Sequence, residues 1–192
     1  MSSTAPTTAA PTPAAPTPTS TPEPAPAVLT RLVISLDDVS AEYTDHVDSI
    51  DYGNAAGAIA LIESIAGAPV VTEVPQKAFT RYEWDGVQMV TSEAGQFIIT
   101  IATSSVGAVP VQTAEGVAVG SSRADSVAAG ATDGYDGNGD GVADSLHLGT
   151  REVPGTESLA LPDAVGVEYV ELRMDGDAVT HLVSPADDFH DL

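Results

Sequence analysis

The chain has 192 residues, of which 28 are acidic and 6 are basic, so its formal net charge at pH 7 is −22. A surface with this charge repels phosphate backbones, which argues against nucleic-acid binding, and it disfavours anionic membrane surfaces. A cationic ligand, a basic partner or bound metal ions remain compatible with it. The alternative is that the acidity only keeps the protein soluble.

Three further absences in the sequence narrow the class of protein. The chain has no cysteine, so it has neither disulfides nor a thiolate site. It also has no run of about 18 apolar residues, so no transmembrane segment is expected. No signal peptide is visible at Met1. We expect that the chain begins after its natural export signal, and an intracellular protein is the alternative.

The N-terminal residues differ in composition from the rest of the chain. Residues 1–28 consist almost entirely of Ala, Pro, Thr and Ser, with Glu23 as the only charged side chain. Prolines remove backbone donors and nothing here can fill a core, which predicts a disordered linker or stalk. Thr/Pro-rich spacers often join an envelope anchor to an exported domain, and a plain disordered tail is the alternative. Residues 29–192 are predicted to form a single acidic α+β domain.

The first part of this domain predicts a strand and a helix. Leu32, Ile34 and Leu36 alternate with other residues, which indicates a strand, and residues 39–53 are polar with a short candidate strand near 47–50. Residues 54–66 have the pattern of a helix. Asn54 is a suitable N-cap, and glycine and proline follow the last turn. The apolar face of this helix is expected to dock on a sheet.

A hairpin and a central strand are predicted next. Phe79–Trp84 and Val87–Val90 flank Asp85-Gly86, the composition of a type I′ turn between two strands. The nearly continuous apolar run in 96–103 is typical of a central strand.

The second part shows a similar order of elements. A loop at 104–115 precedes a short strand at 116–119, and Ser122 and Asp125 have the spacing of a capping box for a short helix with Val127 on its apolar face. Three more strands are predicted, at 145–148, 167–174 and 178–183, before a surface segment. The approximate helix-plus-hairpin repeats, 54–103 and 116–183, predict an α+β fold: an antiparallel sheet with two helices on one face.

One loop carries the clearest chemistry of the sequence. Oxygen side chains occur at every second position from 136 to 140 and again at 144, with glycine at the sixth position. A hard divalent cation requires this arrangement from a tight loop, and the seventh position would contribute a backbone carbonyl. The predicted calcium ligands are Asp136, Asn138, Asp140, Val142 and Asp144. An Asp/Asn/Gly turn that binds no ion is the alternative.

The loop is not an EF-hand. His147 stands at the twelfth position, where a bidentate glutamate is needed, and imidazole is a poor ligand for a hard cation. The loop resembles those of integrin-type β-propellers and thrombospondin type 3 repeats, which implies calcium binding. A single copy of nine residues implies neither a propeller nor a repeat array. Without the twelfth ligand the expected dissociation constant is on the order of 10⁻⁴ to 10⁻³ M.

No catalytic motif is present, so we expect the protein not to be an enzyme. No Gly-x-Ser-x-Gly elbow, phosphate loop or zinc pattern occurs, and four histidines lie without motif spacing, at His46, His147, His181 and His190. His46 lies between two aspartates, where an exposed loop histidine is favoured over a metal ligand. Tyr82 and Trp84 are expected to pack at the core edge.

The chain as a whole resembles uncharacterised actinobacterial envelope proteins and lipoprotein ectodomains. The features shared are the Ala/Pro/Thr stalk, the lysine-poor acidic domain and a Gly-Val-x-Val-Gly-x-Ser-Arg segment at 116–123. The helix-plus-hairpin repeat is similar to that of β-lactamase inhibitory protein and of small outer-membrane lipoproteins. These resemblances imply an exported, envelope-tethered domain with one structural calcium ion and a protein or cell-wall partner. The alternatives are a secreted inhibitor-like module and, less favoured, a hydrolase with an unrecognised site.

Overall fold

The computed structural model describes Met1, residues 26–74 and residues 79–189. The predicted linker falls almost wholly on residues 2–25, outside the described residues. Within those ranges the chain forms thirteen strands and two helices. In chain order they are β1 (Leu29–Ile34), β2 (Asp38–Tyr43), β3 (Val47–Asp51), α1 (Ala55–Ala66), β4 (Val70–Val74), β5 (Phe79–Trp84), β6 (Val87–Ser92), β7 (Phe97–Ile101), β8 (Ser105–Val106), β9 (Val109–Thr113), α2 (Arg123–Ala128), β10 (Thr132–Asp133), β11 (Ser145–Glu152), β12 (Val167–Asp175) and β13 (Ala178–Asp187).

These strands form two sheets. Sheet A has five strands in the order β3-β2-β1-β9-β8, and sheet B has eight in the order β10-β11-β12-β13-β7-β6-β5-β4. The pairing of β1 with β9 is parallel, whereas the neighbouring strands of sheet B are all antiparallel. Buried residues of both sheets and of α1 form one apolar cluster, which includes Leu32, Ile34, Ile62, Ile99, Leu172 and Leu182.

The predicted α+β fold, a single antiparallel sheet with two helices on one face, is therefore wrong. The protein is mostly β, with two large sheets. The missing strands include β2, which comes from a segment that the prediction described as polar, and β9, which lies in the predicted 104–115 loop. In β2, for example, only Val39 and Ala41 are buried, and the residues around them are partly exposed. A strand with so few apolar residues can be recognised only from the neighbouring strand against which it packs.

Helix α1 agrees with the sequence pattern. The side chain of Asn54 accepts a hydrogen bond from Gly57 N at 3.0 Å, as an N-cap should. Ala58 and Ile62 are buried, and the helix ends at Gly67, whose φ is +81°. No helix in the described ranges is long and apolar enough to cross a membrane.

Helix α2 differs from its prediction. It has six residues, and Ser122 caps it by accepting from Asp125 N at 3.1 Å. The residue that it buries is Ser126, whereas Val127, predicted for the apolar face, is 52% exposed. The strand predicted at 116–119 is irregular chain. The two helix-plus-hairpin units are thus unequal, because only α1 contributes apolar side chains to the core.

The hairpin between β5 and β6 is confirmed, but its turn type is not. Trp84 pairs with Val87 across Asp85 and Gly86. Gly86 has φ +70°, and Asp85 is not among the residues with positive φ. A type I′ turn needs positive φ at both central residues, so that geometry is excluded.

Gly86 and Gly116 illustrate two different reasons why a chain position requires glycine. Both have positive φ, but a Cβ on Gly86 would lie 2.6 Å from Thr103 Cγ2 and 2.8 Å from Thr103 Cβ, whereas one on Gly116 would meet nothing within 4 Å. We expect Gly116→Ala to lower the free energy of unfolding by about 1–2 kcal/mol through backbone strain. Gly86→Ala should cost about 1–3 kcal/mol more through the clash. Urea unfolding of both variants measures the difference, and equal losses would contradict it.

Candidate metal-binding loop and concave sheet face

The predicted calcium loop joins β10 to β11 at one end of sheet B. Two backbone hydrogen bonds close its base: Gly134 N donates to Ser145 O at 2.9 Å, and Asp144 N donates to Tyr135 O at 2.7 Å. The base is therefore a continuation of the hairpin. Four of the five predicted ligands lie in the closed loop beyond the base, and the fifth, Asp144, lies at the base itself.

The two outermost carboxylates are held against the loop backbone. Asp136 accepts from Gly139 N at 2.7 Å and from Gly141 N at 2.9 Å. Asp144, at the opposite end, accepts from Gly137 N at 2.8 Å. The two carboxylates, one at each end of the loop, thus accept hydrogen bonds from the amides of alternate glycines between them.

The central ligands make shorter local turns. Asn138 Oδ1 accepts from Asp140 N at 2.9 Å, and Asp140 Oδ1 accepts from Val142 N at 2.8 Å. Gly139 and Gly141 have φ of +73° and +86°, the left-handed region that side chains rarely adopt. The glycines of the motif therefore have a backbone role that is independent of any ion.

The donor set suits a hard cation, but it is not assembled around one point. A carboxylate has about four lone-pair sites, so Asp136 keeps accepting capacity beyond its two amide bonds. Within the described ranges, no three His, Cys, Asp or Glu side chains are grouped so that they could hold a metal ion. Binding an ion would require the carboxylates to turn from the loop amides toward a shared centre.

Arg123 attaches the loop to the rest of the protein. Its Nη2 donates to Ala143 O at 2.5 Å, and its Nη1 lies 3.5 Å from the carboxylate of Asp133. On the other side, Met174 N on β12 donates to Asp144 O at 2.9 Å. The attachment of the loop through Arg123 was not predicted from the sequence. The only available signal was an arginine in a chain with few cations.

His147 lies outside the loop, on β11. Its ring stacks on Tyr169 with centroids 3.6 Å apart. A Cβ on Gly134 would lie 2.4 Å from His147 Nε2, so the histidine packs beneath that glycine. Burial lowers the pKa of His147, while Glu171 and Asp188 raise it, and the net direction is downward. The residue at the twelfth position is therefore a packing residue of the sheet.

The outer face of sheet B, which points away from the apolar core, is concave. It encloses a cavity of about 1040 Å³ lined by residues of β5, β6, β7, β12 and β13. Its apolar side chains include Phe79, Val90, Ile98, Tyr169 and Val183. The polar side chains include Glu83, Gln88, Glu171, Arg173 and His181. We call this surface the concave face. The concave face was not predicted from the sequence, because it is built by strands from both halves of the chain.

On or near the concave face, His181 Nδ1 lies 3.0 Å from Thr180 Oγ1. The Glu171 carboxylate accepts from Arg173 Nε at 2.9 Å. Ser145 is only 4% exposed, and its Oγ accepts from Tyr135 N at 3.2 Å. Burial raises the pKa of the Tyr169 hydroxyl to about 12, which keeps it protonated at neutral pH. Among the described residues, Arg81 Nε on β5 is buried without a hydrogen-bond partner.

Two histidines should affect the pH dependence of stability with opposite signs. The lowered pKa of His147 means that its stabilising contribution is present above pH 6.5 and is lost as pH falls below it. At His46 the hydrogen bond that the ring donates to the Asp45 carboxylate raises the pKa despite some desolvation, so its contribution is present below pH 6.5 and is lost as pH rises through the raised pKa. We expect His147→Phe, which keeps a ring against Tyr169, to make unfolding less sensitive to acid between about pH 5 and 7.

His46→Phe serves as the matched control, because His46 also stacks on a tyrosine, Tyr43. It should make the pH profile steeper toward acid above about pH 6.5, because the contribution of a raised pKa is lost in that range. Urea midpoints measured from about pH 5 to 8 give both slopes. Parallel profiles for the wild type and the two variants would contradict the assignment.

Comparisons with known proteins give no match, so a function can be argued only from the geometry of this structure. No protein-family model, curated protein sequence or solved structure gives a significant match to this chain. The resemblances to envelope lipoproteins, to β-lactamase inhibitory protein and to calcium loops of other families thus stay predictions.

Proposed function

We propose that this protein is a non-catalytic, exported domain that holds one structural calcium ion in the 136–144 loop. The observation that supports this proposal is that one loop carries all five oxygen donors of the motif, and that the Asp136 and Asp144 carboxylates at its two ends accept hydrogen bonds from amides of the same loop. A loop with three carboxylates repels itself in the absence of a cation, and a bound ion offsets that repulsion. The ion therefore has a structural role, which is to order the glycine-rich loop.

The proposed location outside the cell follows from the expected calcium affinity of the loop. A loop that lacks the bidentate twelfth ligand has an expected dissociation constant on the order of 10⁻⁴ to 10⁻³ M, which is typical of extracellular modules. Such a site fills only where calcium is near millimolar concentration, as it is outside cells. The net charge of −22 is also compatible with an exported domain.

The second part of the proposal is that the concave face binds a partner. Its apolar residues come from neighbouring strands, with Glu83, Glu171 and Arg173 among the polar residues beside them. A protein surface that inserts apolar side chains fits this combination better than a cell-wall glycan, which is more polar along its whole length. Buried Ser145 and the paired Glu171 favour a binding role over a hydrolytic one.

Calcium should raise the thermal stability of the wild-type protein. At about 1 mM calcium the expected stabilisation is about 0.4–1.4 kcal/mol, from mass action with the dissociation constant above. For a chain of this length that corresponds to a rise in melting temperature of about 1–5 °C, reversed by a chelator. Asp144→Ala should abolish the calcium-dependent rise, because it removes a ligand.

The matched control for this measurement is Glu115→Ala, which removes one carboxylate from an exposed turn distant in sequence from the loop. It should keep the full calcium-dependent rise. Magnesium at the same concentration should have a smaller effect, because it requires a near-ideal octahedral site. An unchanged wild-type melt with calcium, or an equal response of Asp144→Ala, would remove the ion from the proposal.

Partner binding at the concave face can be located by photo-crosslinking. A photoreactive amino acid at Ile98, in the middle of the face, should link to the partner on intact cells of the source organism. The same group at Val127, which is 52% exposed on α2, should not. Val183→Glu should reduce crosslinking from Ile98 at least about tenfold, because it places a charge on the apolar floor. Equal crosslinking from both positions would contradict the surface, and linkage to cell-wall material would replace the protein partner by a glycan.

A further inference from the structure

The chain has two asparagines, Asn54 and Asn138, and their surroundings in the folded structure differ. An asparagine can modify itself when the backbone nitrogen of the next residue attacks its side-chain carbonyl carbon. Asn138 is followed by Gly139, which has no side chain to obstruct that attack, and both residues are exposed. Asn54 is followed by Ala55, which is buried in the first turn of α1. The contacts of the two amide groups decide which of them can react.

The nitrogen that would attack Asn138 is held by a carboxylate. Gly139 N donates a hydrogen bond to Asp136 Oδ1 at 2.7 Å. A carboxylate in this position draws on the N–H proton and makes the nitrogen more nucleophilic, as a general base does. Gly139 has φ +73°, and a Cβ built on it would meet nothing within 4 Å, so other groups do not crowd this part of the loop.

The side-chain amide of Asn138 is held in an orientation that suits the same reaction. Its Oδ1 accepts a hydrogen bond from Asp140 N at 2.9 Å, and its Nδ2 lies 3.5 Å from Asp144 Oδ1. These two partners fix which end of the amide is the oxygen. A bond to the amide two residues on folds the side chain across the Gly139 peptide between them. It also places an N–H donor on the oxygen that becomes negative during the attack, which is the role of an oxyanion hole.

We propose that Asn138 deamidates in the folded protein through a cyclic imide formed with Gly139. Gly139 N attacks Asn138 Cγ and forms a C–N bond, the bond from Cγ to Nδ2 breaks, and ammonia leaves with the proton that Gly139 N gives up. Water, which reaches this exposed loop, then adds to either imide carbonyl and opens the ring. The products are aspartate or isoaspartate at position 138. The net reaction is hydrolysis of an amide to a carboxylate and ammonium.

Asn54 is a matched control within the same molecule. Its Oδ1 accepts from Gly57 N, three residues on, at 3.0 Å as the N-cap of α1. The nitrogen that would attack it, Ala55 N, donates to the carbonyl oxygen of Gly95 at 2.9 Å and not to a carboxylate. Attack would break both bonds and release the first turn of the helix. Folding should therefore protect Asn54 and promote the reaction of Asn138.

The reaction changes the 136–144 loop permanently. Aspartate at position 138 adds a carboxylate at the third position of the motif, and isoaspartate lengthens the backbone there by a methylene group. If the loop holds calcium as proposed above, the aspartate product offers the ion a fourth carboxylate beside Asp136, Asp140 and Asp144. The deamidation itself requires no ion.

The test compares deamidation in the folded protein and in the guanidinium-unfolded protein, at the same pH and temperature and with a chelator present. Peptide mass spectrometry after proteolysis gives the fraction converted at each asparagine. Asn138 should react at least about tenfold faster in the folded protein than in the unfolded one, and Asn54 at least about tenfold slower. The unfolded rates are the reference, because they report the Asn-Gly and Asn-Ala sequences alone.

Two variants test the part played by the carboxylate. Asp136→Asn keeps an oxygen that can accept from Gly139 N but removes the negative charge, so it should slow the reaction of Asn138 in the folded protein at least about tenfold. Glu115→Gln removes the same charge from an exposed turn outside the loop and should react like the wild type.

A folded wild-type rate at Asn138 within a few-fold of the unfolded rate, or below it, would overturn the proposal. An unchanged rate in Asp136→Asn, or equal acceleration at both asparagines, would do the same. None of these results bears on calcium binding, because the chelator removes the ion from every measurement. A melting temperature that does not respond to calcium would likewise leave this reaction unaffected.

Discussion

The pairing of β13 with β7 is the contact on which the larger features of this protein depend. Leu182, Val183 and Ser184 pair with residues of β7 that precede them by more than eighty positions. This pairing joins the strands of the two halves into one eight-stranded sheet. Without it each half would be a small antiparallel unit with two open edges, and the concave face, which takes residues from both, would not exist.

Four of the five arginines lie beside a carboxylate in the described part of the chain. Arg151 contacts both Asp37 and Glu168 and so links residues far apart in the chain. Arg31 lies beside Glu42 on the neighbouring strand. Surface ion pairs of this kind contribute little individually. In a protein with 28 acidic residues, however, they also relieve repulsion between strands, which helps a sheet with so many carboxylates to form.

The sequence was informative where one local pattern decides the structure. Asn54 and the apolar spacing after it give α1, and the glycine before Val87 gives the β5–β6 hairpin. It failed where the pairing partner decides. The polar stretch of β2 becomes sheet because β1 provides a pairing edge, and residues 109–113 become β9 because they pair in parallel with the same strand. The short candidate strand near 47–50 is present as β3. The number of sheets follows from such pairings, so the fold class was wrong.

The candidate site was likewise predictable from the sequence only in part. The 136–144 segment could be recognised because its oxygens and glycines are consecutive, whereas the attachment through Arg123 and Met174 is non-local. That attachment has one more consequence. Met174 follows Arg173, a residue of the concave face, on β12. The loop and the proposed binding surface therefore share a strand, and thermodynamic linkage would make any influence of the proposed calcium ion on the affinity for the proposed partner reciprocal.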